Sequence, residues 1–309
     1  MNPRRATACA FLGLAAVASA LTAGQSEASS KDDAVEAGGR ASRPPSGEAL
    51  AGRDAVEAGG RASRPPSGKG LAAGDASPRP DTGVLIIKKD QPGPERTVRL
   101  KTTDGWWIVM TYRPPRKGSP VAVLVHGFGT NRRDWAGLAA DLARKGWGTL
   151  ALDLRGHGDS RMGPSGPVDF ASIDGGGAWL DAAKDVEAAL GYVRGQRIAT
   201  RRLCLVGASI GANLVSRAAA ADPGLGCAVL LSPRRDFQGV PLASPRPGLR
   251  ALAAASRADP HSYEALESLA ARRPGIETLD AARGHGAAMF QDRDFYRDLL
   301  RWLDNAARP

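Results

Sequence analysis

The sequence predicts an α/β fold: a mostly parallel, doubly wound sheet with antiparallel N-terminal strands and little or no cap domain. Three observations carry that prediction. From residue 121 onward, short apolar runs alternate with helical stretches, the order that builds βαβ units. Residues 121–125 (Val-Ala-Val-Leu-Val) are apolar throughout, as a strand covered on both faces must be. Just upstream, strand-like runs over 97–103 and 106–112 are joined by Thr103-Asp104-Gly105, turn chemistry too short for a crossover, so the two must pair antiparallel.

The elements follow in order. Residues 84–87 (Val-Leu-Ile-Ile) read as a further strand ahead of the pair. After the 121–125 strand, a helix capped by Asp134 runs to about residue 145, and a strand covers 148–152. A helix over 179–194, a strand over 203–206 and a helix over 210–221 come next. Strands at 228–231 and 249–254, a helix at 262–272, a strand at 276–279 and a helix at 292–305 complete the pattern. In such sheets reactive groups collect at the carboxyl ends of the strands.

This pattern occupies only part of the 309 residues. All six Trp, all four Tyr and five of the six Phe lie beyond residue 82. Residues 83–309 are therefore expected to form one domain, while the Ala-, Gly-, Ser- and Pro-rich stretch before it cannot bury enough apolar surface to offset its ordering entropy. Within that stretch a 15-residue run from Asp33 to Gly47 recurs unchanged from Asp54 to Gly68, a period of 21 residues. Neither copy has an apolar face that stacking could bury, so residues 21–82 read as a flexible tether rather than a solenoid.

Residues 1–20 read as a signal peptide. Arg4 and Arg5 precede an Ala-rich apolar run, and Ala18-Ser19-Ala20 places small residues where a signal peptidase reads. The run is short and weakly apolar for a membrane span, although an uncleaved anchor is the alternative. Export to the periplasm or beyond follows, with peripheral association at the envelope through the tether. Net charge is +10, of which +8 falls in residues 81–309. The arginines are scattered, as in Arg132-Arg133 and Arg234-Arg235, with no aromatic-laced stripe, which argues against nucleic acid as the partner. Cys204 and Cys227 lie in apolar runs and read as small buried hydrophobes, with a disulfide between them as the alternative that only geometry decides, and no Cys/His spacing resembles a metal site.

Two motifs carry chemistry. Gly207-Ala208-Ser209-Ile210-Gly211 follows a strand and opens a helix, the context in which G-x-S-x-G holds a serine out on a tight turn as a nucleophile. The helix N-terminus beneath Ser209 favours developing negative charge. His126-Gly127-Phe128-Gly129 follows the 121–125 strand. Acyl transfer needs two backbone N–H groups aimed at the oxyanion, and Ile210 and Phe128 are the candidates. His126 itself reads as a structural residue that holds its loop.

With Asp153-Leu-Arg-Gly-His-Gly-Asp-Ser160 and Gly284-His285-Gly286, these motifs stand in the order of the α/β-hydrolase family, which the chain resembles over about residues 95–305. The resemblance implies that Asp153 and His157 are loop scaffolding. It also implies a base late in the chain, and His285, between the last strand and the last helix, suits that role better than His261 at a helix start. The acid the resemblance implies is Asp259, where similar hydrolases carry theirs, with Asp236 after the preceding strand as the alternative. The expected activity is hydrolysis of small or medium carboxylic esters through an acyl-enzyme on Ser209, with a small-molecule ester as partner and no cofactor. A peptidase or acyltransferase with the same triad is the alternative, and a non-catalytic binding module on this fold is another. About 17 residues separate the strand ending at residue 231 from the one beginning at 249, too few for a large helical lid. The Gly- and Pro-rich stretch 161–177 could fold over the site instead.

Overall fold

The computed structural model describes residues 93–306, with the exception of Gly176. The expected leader, the tether and the strand over 84–87 lie outside the described residues. Twelve strands and five α-helices follow one another in the order β1 (Arg96–Lys101), β2 (Trp107–Arg113), β3 (Val121–Val125), α1 (Ala136–Arg144), β4 (Gly148–Leu152), β5 (Met162–Gly163), β6 (Gly166–Pro167), α2 (Ala183–Gly195), β7 (Leu203–Ala208), α3 (Ile210–Ala221), β8 (Cys227–Leu231), β9 (Asp236–Phe237), β10 (Val240–Pro241), β11 (Arg250–Ser256), α4 (Pro260–Arg272), β12 (Glu277–Ala281) and α5 (Arg293–Ala306).

The main sheet runs β12-β11-β8-β7-β3-β4-β2-β5-β6, with β1 paired to β2. From β12 to β4 every neighbouring pair is parallel, whereas β2 is antiparallel to both β1 and β4. The chain leaves β3 toward β4 on one side and later lays β7 on the other side of β3. That reversal makes the carboxyl ends of β3 and β7 a topological switch point, where an open α/β sheet has a crevice. His126 and Ser209 are the first residues past those two ends.

Alternation along the strands divides the core into two layers. Val121, Val123 and Val125 of β3 face one side with Leu203 and Leu205 of β7, against Val186 and Leu190 of α2 and Leu214 of α3. Ala122 and Leu124 face the other with Cys204 and Val206, against Leu138 and Leu142 of α1 and Phe295, Leu299, Trp302 and Leu303 of α5. Leu138 and Leu142 are four apart, one turn of the same helix face, and truncating either to Ala should cost about 2–5 kcal/mol.

Several local expectations are corrected. Asn131, not Asp134, caps the first helical segment: its side chain accepts the Arg133 N–H, and Arg132–Trp135 forms a 3-10 turn before α1. The stretch over 179–182 is likewise a 3-10 turn, Ala178–Ala182, leading into α2. Cys204 and Cys227 are buried as expected, but they are register partners on adjacent parallel strands and form a disulfide. Sequence spacing could not show that, because pairing depends on the strand register. The short hairpins β5–β6 and β9–β10 went unforeseen, since two-residue strands carry no alternation to read. Among the described residues, no helix is long and apolar enough to cross a membrane.

Candidate active site

Ser209 sits at the sharp turn between β7 and α3, with φ 55° and ψ −121°, a backbone conformation that a residue with a Cβ rarely adopts. Its flanking glycines explain how the turn closes. A side chain on Gly207 would overlap the Gly211 carbonyl, and one on Gly211 would overlap the carbonyls of Val125 and His126. The turn therefore packs directly against the end of β3. The Ser209 N–H donates to the Leu231 carbonyl at 2.9 Å, and its own carbonyl accepts the N–H groups of Ala212 and Asn213. Strain at Ser209 is thus held from both sides.

The loop after β3 approaches from across the switch point. A Cβ on Gly127 would lie 3.3 Å from the Ser209 Cβ, so no side chain there fits without movement. Phe128 beside it is clamped by aromatic rings, with centroid distances of 5.1 Å to Phe170, 5.4 Å to Trp179, 5.6 Å to Phe237 and 5.7 Å to His157. Those edge contacts fix the backbone that carries the Phe128 amide. Among the described residues, neither the Phe128 N–H nor the Ile210 N–H has a protein acceptor. For Ile210, first residue of α3, that is the usual state of a helix N-terminus.

His126 is fully buried and both ring nitrogens are engaged. Nε2 accepts the Leu154 N–H at 3.0 Å, which leaves the proton on Nδ1 to donate to the Gly127 carbonyl at 2.7 Å. Burial drives its pKa down to about 3, so the ring stays neutral. His157 repeats the arrangement, accepting the Gly129 N–H on Nε2 and donating to the Arg155 carbonyl, each at 3.0 Å. Asp153, fully buried, accepts the backbone N–H groups of Arg132 and Asp159 at 2.7 and 2.8 Å and pairs with the Arg132 guanidinium. The 153–160 segment is scaffolding for the loop after β3. Phe170, from the stretch read as able to cover the site, instead stacks on His157 at 4.4 Å beside Phe128.

His285 follows β12 between Gly284 and Gly286, both at positive φ, in a loop seated on the elbow. A Cβ on Gly286 would meet the Ala208 side chain at 3.1 Å, and the Gly286 N–H donates to Ser232 Oγ at 2.8 Å. The His285 Nδ1 lies 2.5 Å from Asp259 Oδ2. Asp259, N-terminal to α4, has its other oxygen 3.8 Å from Arg234 Nη2. Burial opposes its charge, but the neighbouring Ser262 hydroxyl, His285 and Arg234 outweigh that and hold the carboxyl below its usual range. The Ser262 hydroxyl contributes through proximity, as it lies outside strict hydrogen-bond geometry. Asp236, the alternative acid, is exposed and accepts the Gly239 N–H at 2.8 Å within the β9–β10 hairpin. His261 is exposed at the start of α4.

Ser209 and His285 line one cavity of about 160 Å³, together with His126, Gly127, Phe128 and Trp135. Three supporting residues had no sequence motif. Ser232 holds the His285 loop, Arg234 lies beside Asp259, and Asn213 pins the Arg234 segment by exchanging hydrogen bonds with its backbone N–H and C=O at 3.1 and 2.9 Å. Ser232 and Arg234 were findable in principle: they come within three residues of the end of β8, on the reactive edge of the sheet. Among the described residues no cluster of His, Cys, Asp and Glu is arranged to hold a metal ion.

Residues 122–309 match the model of the alpha/beta hydrolase family. No curated protein sequence matches the chain. Among solved structures, an esterase from Pyrococcus furiosus superposes with a TM-score of 0.53 at 15% identity, covering 70% of this chain and 92% of that one. An alpha/beta hydrolase from a Penicillium species gives 0.55 at 15% identity, covering 69% and 99%. An esterase from Exiguobacterium antarcticum gives 0.51 at 12% identity, covering 68% and 100%. At these identities the likeness speaks to the fold.

Proposed function

The chain belongs to the alpha/beta hydrolase family, and from that premise we propose that it is a serine hydrolase cleaving small to medium carboxylic esters through an acyl-enzyme on Ser209. One observation carries the reading. A serine in a strained turn shares a cavity with an imidazole whose Nδ1 is already bound by a carboxylate. With Nδ1 taken by Asp259, only Nε2 of His285 is left to exchange a proton with the serine.

In the proposed cycle the Ser209 hydroxyl attacks the ester carbonyl as His285 removes its proton. The developing oxyanion accepts the amides of Phe128 and Ile210, at the N-terminus of α3. Such donors act well because they are fixed before the charge appears; the aromatic clamp on Phe128 supports that role. Asp259, held in its ionised form, orients the imidazole and stabilises its protonated state without taking the proton. The alcohol leaves with a proton from His285, and water repeats the attack on the acyl-enzyme. Serine and histidine chemistry suffices, so the cycle calls on no cofactor.

Residues 1–20 serve in this reading as a signal peptide and residues 21–82 as a tether, so that the domain works outside the cytoplasm, with peripheral association at the envelope. The Cys204–Cys227 disulfide supports that location, because such bonds persist in oxidising compartments.

The test is covalent labelling. A fluorophosphonate probe should modify the wild-type protein and leave Ser209→Ala untouched, and p-nitrophenyl esters should be cleaved while peptide amides are not. A folded wild-type protein that takes no label would overturn the hydrolase reading. Faster cleavage of amides than esters would replace esterase with peptidase.

A further inference from the structure

Trp135 occupies an unusual place in the fold. It is the last residue of the 3-10 turn before α1 and is 0% exposed. On one side it lines the cavity that holds Ser209 and His285. On the other it lines a second cavity, also of about 160 Å³, whose walls include Thr111, Arg113, Ala139 and Ala151. No other residue belongs to both walls. The indole rests near Phe290, with ring centroids 5.9 Å apart, and among the described residues its Nε1 has no acceptor. No hydrogen bond therefore fixes tryptophan here over a smaller apolar side chain, which could fill core without leaving a buried N–H unpaired. What the position holds is bulk.

Resting on Ser209 as the attacking group, we infer that Trp135 is the specificity-determining partition of the site: its indole closes the reactive cavity against the second one and confines substrates to short-chain esters. Both cavities are bounded in part by small side chains, Ala208, Ala287 and Ala288 in the first and Ala136, Ala139 and Ala151 in the second; Glu95, Arg113, Arg132 and Arg133 also stand in the second wall, yet its lining surface is mainly apolar. An extended apolar chain could run through the pair once the indole is gone. Large-to-small replacement in a packed core leaves most of the removed volume open, because the surroundings relax only partly. The joined cavity would then accept the chain that the wild-type protein rejects.

The experiment compares kcat/KM for p-nitrophenyl acetate and p-nitrophenyl decanoate in wild type, Trp135→Ala and the milder Trp135→Leu, each checked for folding by circular dichroism and for its nucleophile by fluorophosphonate labelling. The decanoate-to-acetate ratio should rise at least tenfold in a folded Trp135 variant. Adding Ala139→Leu, which refills the second cavity from the helical turn next to Trp135, should reverse the gain. A folded, labelled variant with an unchanged ratio overturns the partition. If the wild-type protein neither labels nor cleaves an ester, the hydrolase reading has failed instead. The partition is then read without chemistry, by calorimetric binding of butyrate and decanoate to wild type and Trp135→Leu, and an unchanged preference overturns it there as well.

Discussion

His126 and His285 each follow a strand of the same sheet, at the same edge, and each lines the same cavity, yet they stand in opposite surroundings. His126 is 0% exposed, has a partner on each nitrogen and is kept neutral by burial. His285 has a side chain 41% exposed and, among the described residues, one partner, the Asp259 carboxylate, on Nδ1. A ring with both nitrogens committed to backbone groups is a strut. A ring anchored at one nitrogen and open at the other can move a proton. The difference lies in the surroundings, since residue type, strand end and flanking glycine are common to both.

The sharpest way to break this contrast is at the open ring. His285→Gln should lower kcat by about 10⁴-fold or more while leaving the unfolding midpoint near the wild-type value, and Asp259→Asn should lower kcat by about 10⁴-fold by presenting the wrong tautomer. Steady-state ester hydrolysis beside chemical denaturation checks both. If His285→Gln instead unfolds the protein and spares the turnover of what remains folded, the assignment of roles is reversed.

The buried ring should fail differently. His126→Ala leaves the Leu154 N–H without its partner and opens a void in the loop, at a cost on the order of 3 kcal/mol in stability. The wild-type ring also imposes a pH dependence of definite sign. Its folded pKa, about 3, lies below the ordinary value of 6.5, so the unfolded chain takes up the proton first as pH falls. Its contribution is complete above pH 6.5 and is lost progressively toward pH 3. Urea midpoints between pH 7.5 and 4 should fall along this window in wild type and fall less in His126→Ala. Equal slopes would contradict the neutral, buried ring.

The smallest effect is expected at Asp236. Asn at that position can still accept the Gly239 N–H, so Asp236→Asn should leave kcat within about twofold of wild type. A large loss there would transfer the acid's role away from Asp259.

Much of this molecule is readable along the chain, for reasons that differ by element. The strands Val121–Val125 and Gly148–Leu152 and the helix Ile210–Ala221 lie where apolar runs and helical spacing place them, because each is long enough to show its period. The elbow at Ser209 was legible because only small residues can flank so tight a turn, and Gly207 and Gly211 meet backbone there. Asn131 was missed as a cap because a 3-10 turn, which starts earlier than the apolar period suggests, precedes α1. Ser232, Arg234 and Asn213 were missed because their roles are contacts between loops that are distant in sequence.

By itself the sequence determined the class of sheet and the turn that carries the serine, since these rest on local sterics and on apolar periodicity. Only the tertiary structure decided which carboxylate reaches His285, that Cys204 lies beside Cys227, and that Trp135 borders two cavities. Those are matters of strand order and register. Both emerge when the whole sheet assembles, and no run of neighbouring residues encodes them.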